Sequence, residues 1–229
     1  LQCMLDICSC FGAEFDIVFN HKKSFLMQVG LDVDVVLPQL SLSGVLLQWV
    51  NRIKYLGVWF VSGRSFSIDP ACNRTKFLGS VFGILQKCGN VSDDVKWNII
   101  QRSCLPILLY GVDSVTPKAG QVQKLSVAYY TAVRRCFNLS RFTFVRNVLY
   151  FLGSSPVNVI LDERLGLMLK SCIGSGSELL RLCSLLRQND DSVCNMFLKY
   201  DVHINMSRPM FKSCIRSWLS DNLRIEVLI

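Results

Sequence analysis

The hydrophobic period of this chain changes once, at Gly63, and that change limits the fold more than any motif does. Before it, apolar residues come in short runs broken by Gly12, Gly30, Pro38, Gly44 and Gly57. After it, they recur every three or four residues over long stretches. Short broken runs read as strands and turns; long runs with a 3.6-residue period read as helices. The expected fold is therefore α+β. A helix and a small antiparallel sheet should occupy residues 1–62, a helical region 63–160, and a helical extension 161–229.

Within the first region, "LQCMLDICSCFGAEF" spaces Leu1, Met4, Leu5, Cys8 and Phe11 or Gly12 along one helical face, which Gly12 can end. "DIVFN" reads as a short strand ending at Asn20, "HKKS" as a polar turn, and "FLMQVG" as a strand closed by Gly30. From Val35 to Leu42 the pattern alternates, but Pro38 makes this an edge or interrupted strand, with Asp32 and Asp34 on its exposed side. "VLLQWVNRIKYLGVWFVSG" supplies one or two more strands.

Beyond Gly63, Phe77, Leu78, Val81, Leu85 and Cys88 share one face of a helix that opens at Pro70 and ends at Cys88-Gly89. Ser92 is placed to cap the next helix, with Asp93 and Asp94 in its first turn; Pro106 should kink or divide it. Val122, Leu125, Tyr129, Ala132, Val133 and Cys136 line a third helix, whose C-terminus carries Arg134 and Arg135. Further helices are expected over 147–152, 157–173, 177–188, 191–200 and 208–222.

The formal charge is +8, from 25 Lys and Arg against 17 Asp and Glu. Such a surplus suggests a polyanion, with nucleic acid first and an acidic membrane surface second; the alternative is a protein that is simply basic. At 51% hydrophobic and 18% charged residues, the composition argues against disorder. The 11 cysteines follow no disulfide framework and fit free thiols in a reducing compartment. A zinc set of Cys183, Cys194, His203 and Cys214 has gaps unlike usual ligand spacings. No apolar run reaches bilayer length and no signal peptide opens the chain. Because it starts at Leu1 inside a helical pattern, a fragment of something longer is expected.

Catalytic motifs are scarce. Neither a phosphate-binding GxxxxGK[ST] loop nor a GxSxG elbow occurs. Asp93-Asp94 reads as a helix start, and Asp190-Asp191 as a turn and cap between helices. Lysines and arginines cluster around the sheet and the first long helix, among them Lys22, Lys23, Lys54, Arg74 and Lys76, and continue along later helices.

Three blocks in order carry a resemblance: the first thirty residues, "KYLGVWF" at Lys54–Phe60, and "WNIIQRSCLPILLYGVDSV" from Trp97. They resemble reverse transcriptases of non-LTR (LINE-like) retrotransposons over roughly residues 1–150. The first is similar to the segment after that family's catalytic Asp-Asp hairpin, with its "FN..K[ST]" signature at Phe19, Asn20, Lys23 and Ser24. The second resembles the "KYLGV" turn, the primer grip. The third resembles a thumb helix ending in "P.llYG", here Pro106 to Gly111.

The resemblance implies the end of a polymerase palm followed by a thumb-like bundle. Lys54, Tyr55, Leu56 and Gly57 would form a tight hairpin, Gly57 admitting the primer backbone closely. Lys54 would add charge, while Tyr55 and Leu56 would fix the hairpin by packing. Lys23 would align with a palm lysine that donates a proton to pyrophosphate. Lys22, Arg74 and Lys76 would contact nucleic acid, with RNA template and DNA primer as partners, and no membrane. Residues beyond about 160 resemble nothing nameable.

The family's metal-binding aspartates lie in motifs these residues do not contain. A chain of these 229 residues is expected to be inactive as a polymerase and to hold no cofactor; Mg²⁺ is expected only in the full-length enzyme. The alternative is a non-catalytic basic helical module binding nucleic acid or protein. The resemblance also implies an intracellular location, cytoplasmic and nuclear. Poor solubility is expected from an uncovered sheet edge and apolar surface.

Overall fold

The computed structural model describes residues 1–33, 35–112, 115, 117–178, 191–203 and 206–227. The fold mixes helices with small sheets and divides into two compact units, Leu1–Asp69 and Pro70–Ile229. Among the described residues, no helix is long and apolar enough to cross a membrane.

The first unit begins with α1, Gln2–Glu14. Leu5 packs against the leucine core of the unit, and the remaining ties of α1 are polar. The Gln2 side chain accepts from the Ser41 N–H at 2.9 Å and donates to the Ser41 carbonyl at 3.0 Å. Ser9 Oγ accepts from the Ser43 N–H at 2.9 Å. Gly12 is the buried residue of the helix, because a Cβ there would meet the Ile17 carbonyl at 2.8 Å and the Phe19 ring at 2.9 Å. The expected apolar face is not a core face: Leu1, Met4, Cys8 and Phe11 are exposed and Leu5 is half-buried.

Among the described residues, seven short strands follow: β1 Phe25–Leu26, β2 Ser41–Leu42, β3 Val45–Leu46, β4 Gln48–Trp49, β5 Arg52–Tyr55, β6 Val58–Val61 and β7 Ser67–Ile68. They form three separate small sheets rather than one antiparallel sheet. β1 pairs with β4 in parallel, Phe25 opposite Gln48, while β2–β3 and β5–β6–β7 are antiparallel. "DIVFN" forms no strand. Phe19 packs against the small core of Leu26, Leu40, Leu42 and Leu47, and Asn20 caps a 3₁₀ turn instead. Pro38, with no N–H to donate, delays β2 until Ser41; Asp34, expected beside it, lies outside the described residues. More strands form than expected because Ser43-Gly44 and Leu56-Gly57 each reverse the chain within two residues. Both members of each pair have positive φ, +52° and +78° in the first and +47° and +84° in the second. That is the backbone of a type I′ hairpin turn, whose twist suits antiparallel strands.

The second unit is helical: α2 Ala71–Lys87, α3 Asp93–Ile99, a π turn Ile100–Cys104, α4 Leu105–Leu109, α5 Ala119–Cys136, α6 Val145–Phe151, α7 Val157–Ile173, α8 Asp191–Tyr200 and α9 Arg208–Val227. Pro70 occupies the N-cap of α2, as expected, and Phe77 and Val81 are buried on its inner face. Ser92 holds the N-cap position of α3, though its side chain makes no capping bond. Pro106 divides the following helix. It cannot donate to the carbonyl four residues back, and just before it the ladder slips, the Leu105 N–H bonding the Ile100 carbonyl. Leu125, Tyr129, Ala132, Val133 and Cys136 of α5 are buried as the period requires, and Ala128 joins them; Val122 is half-buried. From residue 179 on, the helix expected over 177–188 lies outside the described residues.

Two features lock this unit. The Ser154 hydroxyl accepts from Trp97 Nε1 at 3.0 Å and Gln101 Nε2 at 2.7 Å, and Gln101 also donates to Tyr129 Oη at 3.1 Å. Buried polar atoms are thereby satisfied in an otherwise apolar core. Farther along, Val159, Leu169, Val193, Met196, Tyr200, Val202 and Ile215 surround Phe211, whose ring seats in the notch left by Gly166.

Candidate nucleic-acid interface

The hairpin of β5 and β6 is built by its register. Arg52 pairs with Val61, Ile53 with Phe60, Lys54 with Trp59 and Tyr55 with Val58, leaving Leu56-Gly57 as the turn. Side chains alternate along a strand, so Arg52, Lys54 and Trp59 share one face and Ile53, Tyr55 and Phe60 the other. On the first face the Arg52 guanidinium lies 4.3 Å from the Trp59 ring centre and bonds Asp69 Oδ2 at 2.7 Å. On the second, Phe60 stacks on Phe66 with centroids 5.0 Å apart.

These contacts sit away from the tip and brace the body of the hairpin. The tip is exposed: Tyr55 is 63% and Leu56 73% accessible, with Lys54 and Gly57 exposed beside them. The expectation that Tyr55 and Leu56 fix the hairpin by packing is therefore corrected. The backbone ladder and the inner aromatics do that work. Leu56 is also strained. Its φ of +47° is a conformation that asparagine or glycine adopts at lower cost, and a bulky side chain there costs roughly 1–2 kcal/mol. An apolar side chain held in water on an unfavourable backbone points to a function at the tip.

Lys22 and Lys23 lie on the 3₁₀ turn His21–Lys23, and both are exposed. Asn20 Oδ1 accepts from the Lys22 N–H at 3.1 Å and Ser24 Oγ donates to the Asn20 carbonyl at 3.0 Å, so the Asn20…Ser24 spacing closes the turn on itself. Arg74 and Lys76 belong to the other unit, on α2. Two positions apart on a helix, they diverge by about 200°. Lys76 is exposed, whereas Arg74 is half-buried with its Nε unpaired. The site residues of the second unit are thus not gathered at one point. Within the third block, Leu108 and Leu109 are core, Tyr110 is exposed, and its carbonyl accepts from Asn73 Nδ2 at 2.8 Å. Asp113 and Ser114 of that block lie outside the described residues.

Asp93 and Asp94 lie where helix chemistry wants them, in the first turn of α3. Asp93 bonds Lys96 Nζ at 3.0 Å in the first turn of α3. Asp191 opens α8; Asp190 and Cys183 lie outside the described residues. Among the described residues, no group of three or more His, Cys, Asp or Glu converges.

One signal in the sequence bears on the second unit and is easily passed over. From Val95 to Leu161 there is one acid, Asp113, against eight Lys and Arg. Within that stretch, Arg141, Phe142, Phe144 and Arg146 cluster at the link between α5 and α6. Counting charge along the chain finds the stretch; only the turn geometry shows that Phe142 and Phe144 face water.

Compared with known proteins, the chain matches no family model, no curated protein and no solved structure.

Proposed function

We propose that these residues are the palm end and thumb of a non-LTR retrotransposon reverse transcriptase and serve to hold an RNA–DNA primer–template duplex. The observation that carries this reading is the tip of the β5–β6 hairpin. There a lysine, a tyrosine and a strained leucine stand exposed beside a glycine whose missing side chain admits a sugar–phosphate backbone. Lys54 supplies charge to the phosphates, and Tyr55 and Leu56 pack on sugar or the terminal base. Lys22 and Lys23 on their exposed turn add sequence-independent phosphate contacts, and by the resemblance Lys23 corresponds to the family's proton-donating lysine. The uncovered face of α1 also supports the reading, because a palm helix expects more polypeptide against it. The chain works inside the cell, in cytoplasm and nucleus, on this reading.

Chemistry is not assigned to these residues. By the resemblance, the metal-binding aspartates belong to motifs these 229 residues do not contain, so the proposed role is grip rather than turnover. The test is titration of the 229-residue chain with an RNA–DNA hybrid at two salt concentrations. Binding should weaken steeply with salt. Lys54→Ala and Leu56→Asn should each weaken it several-fold, and primer extension with Mg²⁺ should give no product. Hybrid binding indifferent to both substitutions, or nucleotide addition by the chain alone, overturns the proposal.

A further inference from the structure

We infer that the turn joining α5 to α6 is a second binding site, specific for unpaired nucleotides: bases stack on Phe142 and Phe144 while Arg134, Arg135 and Arg141 take the phosphates. It uses none of the hairpin's residues and stands on separate observations.

The first is a rigid presentation of side chains that ought to be buried. α5 ends with Asn138 at φ +48° and the Leu139 N–H bonded to the Arg134 carbonyl at 2.8 Å, a closed helix end. A second turn follows at once. The Thr143 N–H bonds the Ser140 carbonyl at 3.1 Å, and the Phe142 N–H bonds Ser140 Oγ at 3.3 Å. Arg141 and Phe142 thus occupy the two corner positions of a β-turn and project outward. Phe142 is 81% and Phe144 61% exposed.

The second observation is charge. The Arg141 guanidinium sits 4.7 Å from the Phe142 ring centre, widening the flat surface with a cation. Arg134 donates to the Thr143 carbonyl at 3.3 Å, while its Nε is buried without a partner. It borders a recess of about 130 Å³ that Tyr130, Phe144 and Arg146 also line. Among the described residues, Arg134, Arg135 and Arg141 have no carboxylate partner.

Exposed flat rings interleaved with unpaired cations match a nucleic-acid single strand, whose bases offer free π-faces and whose backbone offers phosphates. A duplex hides those faces inside its stack. An acidic peptide would satisfy the cations but leaves two rings without a matching surface.

The experiment measures binding of the 229-residue chain to a fluorescent oligothymidylate and to an RNA–DNA hybrid, by anisotropy. Phe142→Ala/Phe144→Ala should weaken single-strand binding by about tenfold or more and change hybrid binding by under about twofold. Because both rings are exposed, the variant should melt as the parent does. Arg135→Ala/Arg141→Ala should flatten the salt dependence of single-strand binding by roughly one unit of slope. Leu56→Asn should do the reverse of the phenylalanine variant, losing hybrid and keeping single strand. Single-strand binding unchanged by the loss of both rings, equal loss of both ligands, or no single-strand binding by the parent chain overturns the inference.

Discussion

The sheet unit and the helical unit draw on the same apolar residues but use them differently. In the helical unit, α5 buries Leu125, Ala128, Tyr129, Ala132, Val133 and Cys136 in one stripe, and Phe211 closes against the bare backbone of Gly166. In the sheet unit, α1 buries Gly12 and leaves Met4, Ile7 and Phe11 in water, and the core is four leucines with Leu5, Phe19 and Trp49 around them. A helix of three or more turns buries a stripe only if another element covers it. α5 has α2, α3 and α7 against it; α1 is held by hydrogen bonds that Gln2 and Ser9 accept from the Ser41 and Ser43 N–H groups, with Leu5 its apolar contact. The unit with the weaker core is also the one whose hairpin tip carries strain and exposed apolar side chains. Binding surfaces are drawn from such regions because their groups are not committed to packing.

The contrast is broken most directly at Phe211. Phe211→Ala should destabilise the helical unit by about 3–5 kcal/mol, read by denaturant unfolding of the chain. Gly166→Ala should also destabilise it, since a Cβ would land in the Phe211 ring and force it from its seat. A loss under about 1 kcal/mol from Phe211→Ala would mean that this core is not what holds α7 and α9.

Next in size is the paired comparison within the sheet unit. Leu42→Ala should cost about 2–3 kcal/mol. Ile7→Gln on α1 should move stability by less than about 0.5 kcal/mol while raising solubility, because Ile7 is already exposed. Equal costs for the two would show that the face of α1 is covered in solution, erasing the difference drawn above.

Leu56→Asn sharpens the comparison in the opposite direction. Asparagine is favoured where φ is positive, so the hairpin should gain roughly 1–2 kcal/mol. Stability should rise while hybrid binding falls. A variant that gains stability and keeps binding would separate the strain at +47° from function.

How much of this could be read from residues alone follows the same divide. The face of α5, the break at Pro106 and the end of α2 at Cys88 were legible because each rests on a local rule: a 3.6-residue period, a missing N–H, a run ending in glycine. The Leu56-Gly57 hairpin followed only from the resemblance of "KYLGV" to a family turn; the residues alone read equally as a strand with a glycine bulge, and nothing in them announces that a leucine takes positive φ. The parallel pairing of β1 with β4 was not legible; two-residue strands carry too little pattern to set direction. The exposure of α1 was hidden for a related reason: an apolar stripe says that a face wants cover, not that it finds it. At the α5–α6 link, "RFTF" alternates like a strand, and only Asn138 and the Ser140 turn reveal two rings facing water.

The smallest effect tests the helical core from inside. Burial raises the Cys136 thiol from its ordinary value near 9 to about 11, with Asp93 and Asp94 pushing the same way and Lys96 opposing. The folded chain therefore holds this proton more tightly than the unfolded chain does. Its contribution is intact below pH 9 and is lost as pH climbs toward 11, on the order of 1 kcal/mol by pH 10. Burial also raises Cys104, Tyr129 and Tyr200, so unfolding above pH 10 gains tyrosine contributions of the same sign. The window from pH 9 to 10 isolates the thiols. Cys136→Ala should lower stability at pH 7, because it empties a packed site, yet flatten the decline between pH 9 and 10, leaving the Cys104 share. An unchanged slope would place the Cys136 thiol in water and dissolve the sealed stripe that sets α5 apart from α1.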